Sequence, residues 1–225
     1  MAEAHSATGR TSEGDVLSSE SPFSGTPPNW FGRMHFTRAA ERGVMTAEVD
    51  DSPVTEIEVA GTVVAAVTAG VEQFSRDTRE SAKAILRTRN LDAPDPEAWY
   101  PLADYVAAIE ALTELVGDYA VHALGQRLAR VVEFPAAAED VPTALHALEE
   151  VYRGQHRGGD SGGYEFRQIG AEDGRIECQT PYPCAFDRGI VEGAAVAHAD
   201  GFVCVSEVGA CQTDEQGRCT YDVSW

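Results

Sequence analysis

The stretch "YEFRQIGAEDGRIECQTPYPCAFDRGIVEGAAVAHADGFVCVSEVG", residues 164–209, decides the fold. "YEFRQIG" (164–170) alternates apolar and polar positions, "AEDG" turns, and "RIECQTP" (175–181) alternates again, the pattern of a hairpin. "DRGIVEGAAVAHA" (187–199) has the small-residue composition of a helix packed closely on a sheet. "FVCVSEVG" (202–209) returns to the strand pattern, and "CTYDVSW" (219–225) supplies a last strand beyond "DEQG". The C-terminal half therefore reads β-β-α-β-β.

Upstream the period is helical. "SRDTRESAKAILRTRN" (75–90) opens on Ser75 as a candidate N-cap, inside a helical pattern that runs from about 57 to 89. "LDAPDPEAWYP" (91–101) is a Pro-punctuated loop. Val106, Ile109, Leu112 and Val116 predict a helix over 102–116. Tyr119, Val121, Leu124 and Leu128 predict another over 118–132, and a third runs from Pro142 to about 152. The expected fold class is α+β, with helices packed on a mostly antiparallel sheet of four to five strands. Residues 1–29, rich in Ser, Gly, Glu and Pro, read as a disordered tail, with "WFGRMHF" (30–36) as a short anchor behind it. The regions 30–140 (helical) and 141–225 (α+β) are either separate or one continuous domain.

The charge balance narrows function. Thirty-seven acidic residues against 17 basic ones give a formal charge of −20, and Lys83 is the single lysine. Such a surface suits a high-salt cytoplasm, where counterions screen self-repulsion, so a halophilic source is expected. It leaves no basic face for nucleic-acid phosphates. The longest apolar run, "VAGTVVAAVTAGV" (59–71), is too short to span a bilayer, and residues 1–30 contain no signal-peptide core. A cytoplasmic protein with no membrane partner is expected.

Five cysteines in that compartment point to metal or redox work before structural disulfides. Cys178 and Cys204 fall inside apolar strand patterns and read as core. Cys184, Cys211 and Cys219 fall at turns or strand ends, and Glu207 precedes Cys211 by four residues. Three thiolates and one carboxylate make a candidate tetrahedral zinc site, with reduced thiols or a disulfide as alternatives.

The segments "PYPCAFDRGIVEG" (181–193) and "VCVSEVGACQTDEQGRCTYDVSW" (203–225) resemble the 4-vinyl-reductase-like domains, ligand-binding modules related to subunits of the TRAPP tethering complex. The likeness covers about 144–225 and implies a structural zinc on Cys184, Glu207, Cys211 and Cys219. The acid stands one residue further from the next cysteine than in the family pattern. It further implies a non-enzymatic sensor that binds a small hydrophobic molecule and signals, as a homodimer, to a downstream protein. The family name alternatively implies a zinc- or thiol-dependent reductase accessory role, with Cys178 as the reactive thiol.

Residues 40–140 resemble H-NOX proteins in layout: helices, a "WYP" segment, then a sheet. That resemblance implies a haem-based gas sensor, with His122 as the axial ligand. The family's Tyr-x-Ser-x-Arg propionate clamp falls on "YEFRQ" (164–168), where Phe166 and Gln168 replace the Ser and Arg. Trp99, Tyr100, Tyr105 and His122 are the candidate ligand-binding residues. His156, Arg157 and Asp160 in "GQHRGGDSGGYEF" read as a solvated connection between helix and hairpin, with an anion- or ligand-gating loop as the alternative, and His35, His146 and His198 read as structural.

Overall fold

The computed structural model describes residues 56–209 and 218–225. The expected tail, the "WFGRMHF" anchor with His35, and Cys211 lie outside the described residues. The chain enters through β1 (Glu58–Ala60), which passes directly into α1 (Gly61–Val71). α2 (Arg76–Arg87) starts at Ser75, though the Ser75 side chain makes no capping hydrogen bond to the backbone. Within the "WYP" loop lies a short strand, β2 (Trp99–Pro101), and Pro101 sets the start of α3 (Leu102–Val116). A single residue, Gly117 at φ 79°, separates α3 from α4 (Asp118–Val131), a backbone angle that glycine adopts without penalty.

α5 (Val141–Gly154) opens on a full capping box. Asp140 accepts from the Thr143 backbone N–H, while the Thr143 hydroxyl accepts from the Asp140 N–H. β3 (His156–Arg157) follows, then the expected hairpin of β4 (Gly163–Gln168) and β5 (Asp173–Gln179). α6 (Cys184–Ala197), β6 (Cys204–Glu207) and β7 (Cys219–Ser224) complete the chain.

The main sheet is antiparallel throughout, in the order β4-β5-β7-β6. A second sheet, β2-β1-β3, pairs Val59 with both Tyr100 and His156. It joins the helical half to the start of the C-terminal half, and both halves fall in one compact unit from Asp51 to Trp225. One buried cluster runs through both, from Val64, Leu112 and Leu124 in the helices to Phe166, Ile176 and Tyr221 on the sheet.

The small-residue helix does not lie mainly on the sheet as expected. α6 makes its most extensive contact with α4. A Cβ on Gly189 would come within 2.1 Å of the His122 carbonyl oxygen, and one on Gly125 within 2.3 Å of the Phe186 oxygen. The glycines thus bring two helix backbones together. Two side chains also depart from the sequence reading. Tyr119 is 88% exposed although it keeps the helical spacing of the core residues. Cys204, expected in the core, is exposed on the edge strand β6.

Candidate functional site

The interior of the molecule is unusually rich in tyrosine. Tyr105, Tyr152, Tyr164 and Tyr182 are all buried. Tyr182 lies edge-on to Tyr105, Tyr152 and Phe186, with ring centroids 5.8, 6.1 and 5.4 Å away. Edge-to-face pairs of this kind add about 0.5–1.5 kcal/mol each beyond their burial. Three of the tyrosine hydroxyls are spoken for. The Tyr152 hydroxyl donates to the Ser161 carbonyl at 2.7 Å, and the Tyr164 hydroxyl to Asp187 Oδ1 at 2.6 Å. The Tyr182 hydroxyl meets His156 Nε2 at 2.8 Å. The Tyr105 hydroxyl is buried with no hydrogen-bond partner.

His156 has a defined tautomer. Its Nδ1 lies 2.7 Å from the Tyr152 carbonyl, so Nδ1–H donates there and Nε2 accepts from Tyr182. Burial holds the imidazole pKa below its ordinary value, which keeps the ring neutral. Asp187, wholly buried in the first turn of α6, accepts from Tyr164 and from the Thr180 hydroxyl, each at 2.6 Å. Desolvation nevertheless raises its pKa to about 7.

Beside this network lies a narrow cleft among α1, α4, α5 and α6. Its volume is about 30 Å³, and Val63, Leu128, Leu148, Tyr152, His156 and Ile190 are among its walls. That is room for one or two water-sized groups. Among the described residues no Lys or Arg lines it.

The sequence-predicted site residues are not gathered around this cleft. Tyr105 sits in the core against Tyr182 and Phe186. Trp99 carries the Arg157 guanidinium 4.4 Å above its ring, so Arg157 packs on the small sheet and does not belong to a purely solvated connection. The Tyr100 hydroxyl accepts from the Asp95 backbone N–H at 2.8 Å and pins the preceding loop. His122 bonds Glu192 at 3.0 Å across the α4–α6 contact, at the edge of a separate surface cleft. Each of these side chains already has a structural task. The residues that sequence reasoning missed are His156, Tyr182 and Asp187. The signal available was "TPYPCAFD", where a tyrosine and an aspartate flank the helix start.

The four zinc candidates fare as follows. Cys184 is held in a disulfide, so its sulfur has no thiolate to offer a metal. Cys219 opens β7 fully buried, directly opposite Cys178 on β5, whereas Glu207 is exposed on β6. Cys184 and Glu207 do border the same surface cleft as His122, but Cys219 does not. Among the described residues no group of three or more His, Cys, Asp or Glu side chains is placed to hold a metal ion. Cys178 does not suit the reactive-thiol role, because burial pushes its thiol pKa well up and no thiolate is presented to solvent.

No family model matches the chain, and no curated protein matches it. Solved structures do. A chain solved in work on haem redox potential and porphyrin distortion superposes at TM-score 0.55 and 14% identity, over 74% of this chain and 99% of its own. A mutant H-NOX protein from K. algicida, in its Fe(II) unliganded form, superposes at TM-score 0.57 and 10% identity, over 73% and 95%. A mutant of the T. tengcongensis H-NOX does so at 0.55 and 13%, over 72% and 94%. These likenesses show that the described part of the chain has the H-NOX fold. The resemblance to 4-vinyl-reductase-like domains gains no support from any of them.

Proposed function

We propose that this chain is a sensor module of the H-NOX fold, which binds a small, largely apolar molecule in the interior cleft and reports its presence to a partner protein. The observation that carries the reading is the cleft itself. Four helices meet there over apolar walls, with one neutral, oriented polar pair, His156 and Tyr182, at the margin. A narrow apolar cleft is a sound transducer. A ligand larger than its 30 Å³ enters only by pushing α1 and α5 away from α4 and α6, so occupancy becomes a helix displacement. The helix surfaces would carry that displacement to a second copy of the chain or to a downstream protein.

Haem-based gas sensing is the second reading, favoured by the fold shared with the H-NOX structures. The residues of this chain do not fit the group. Among the described residues the cleft has no cation for propionates, and its histidine, His156, has both ring nitrogens engaged. Gln168 and Phe166 stand on β4 where the clamp would need Arg and Ser. His122 is committed to Glu192, His146 lies edge-on to Phe166 at 4.8 Å, and His198 Nδ1–H donates to the Ala194 carbonyl at 2.8 Å, packed on Phe134. No functional step is therefore routed through haem.

The test is a titration with indole followed by thermal unfolding. Indole should raise the transition temperature saturably, by the mass-action term that any ligand of the native state adds. Val132→Phe, which fills the cleft from its rim, should abolish the rise while leaving a cooperative transition. An equal rise in the variant would show that indole binds elsewhere and overturn the assignment.

A further inference from the structure

A second cleft, of about 470 Å³, opens on the outer surface between the end of α1 and α4, well apart from the tyrosine network. Its volume lies in the range of pockets that take small molecules, about 300–1,000 Å³. Its walls are Phe74, Tyr119, Ala123, Leu124 and Val131, with Arg127 and Arg130 rising from one side of α4. Gly70 forms its back, where a Cβ would meet Leu124 at 2.4 Å, so the two helices close tightly behind it.

Charge makes this cleft anomalous. The chain carries more than twice as many acids as bases, 37 against 17, yet among the described residues no acid lines this groove. The polar clefts elsewhere are acidic, one with Glu149, Asp160, Glu165 and Glu177, another with Asp118, Glu192 and Glu207. Among the described residues, eight other basic side chains (Arg79, Lys83, Arg87, Arg153, Arg157, Arg167, Arg175 and Arg218) pair with carboxylates. Arg127 and Arg130 do not, nor do Arg76, Arg89 and Arg188, but of these only Arg127 and Arg130 line this groove. The Arg127 Nε is moreover buried with no acceptor. A buried guanidinium N–H without a partner costs free energy that an incoming anion recovers.

We propose that this groove binds an amphipathic organic anion. Its carboxylate sits on the Arg127 and Arg130 guanidinium groups, and its apolar body lies over Leu124 against Phe74 and Tyr119. Planar guanidinium donors suit a carboxylate, and the exposed Tyr119 ring gains a packing role it otherwise lacks. The assignment is independent of the interior cleft, and it accounts for the two groove arginines that lack a carboxylate partner and for the exposed tyrosine.

The probe is octanoate, with octanol and inorganic phosphate as comparators, measured by calorimetry on the full chain in about 0.1 M salt. Octanoate should bind at one site about tenfold or more tighter than either comparator. Arg127→Gln should remove that advantage. Ala123→Glu, at an exposed position one helical turn from Arg127, places a competing carboxylate in the groove and should remove the same advantage while leaving Arg127 in place. Equal binding of octanoate and octanol, equal binding of octanoate and phosphate, no octanoate binding, or octanoate binding unchanged in Ala123→Glu would each overturn the proposal.

Discussion

Asp187 is the residue on which the polar interior turns. Its carboxyl has no exposed surface, accepts two short hydrogen bonds, and still has its pKa raised to about 7 from 3.8 because desolvation outweighs them. The native state therefore keeps the proton at pH values where the unfolded chain has already released it. With more protons bound to the native state between about pH 4 and 7, stability falls as pH rises through that window. Asp187→Asn mimics the protonated carboxyl and should be free of that loss. The stability of the wild type relative to Asp187→Asn should drop by on the order of a few kcal/mol between pH 4 and 7, and level off above. Denaturant melts across the range measure it. A difference independent of pH would show that the carboxyl is ionised in the native state.

At the scale of elements, the α4–α6 contact carries the fold, and its glycines are its weak point. Gly189→Ala must move the His122 carbonyl from 2.1 Å, and neither helix backbone yields cheaply. A loss of about 1–3 kcal/mol is expected, typical of overpacking, with His122 drawn away from Glu192. A variant as stable as the wild type would mean that the helices are not in the stated contact. The same elements show what the sequence discloses. α3 begins at Leu102 and ends at Val116, as its spacing predicts, because Pro101 and Gly117 punctuate it. The hairpin and the terminal strands are equally legible from alternation. The small sheet is not, since β1 and β3 are two or three residues long and their partners are remote in sequence. Nor does periodicity reveal which neighbour a helix face meets. It places Tyr119 with the core and the α6 glycines on the sheet, where the structure has solvent and α4. The polar interior was harder still. His156 stands in a glycine-rich stretch that reads as a loop, and only the fold brings it to Tyr182.

For the whole molecule, the fold and the chemistry of its interior pull in different directions. The chain superposes on nearly the full length of H-NOX structures, and its interior holds tyrosines, a neutral histidine and a buried carboxyl whose pKa is raised to about 7. At 10–14% identity the likeness is one of fold, and a fold does not fix the chemistry of its interior. No helix among the described residues is long and apolar enough to cross a membrane. The proposed sensing role needs no haem. The direct measurement is the visible absorption spectrum of the protein after incubation with hemin and removal of the unbound excess. The account predicts no retained Soret band and no change on adding nitric oxide. One equivalent of haem with a Soret band that shifts on nitric oxide, and is lost in His122→Ala or His156→Ala, would contradict it.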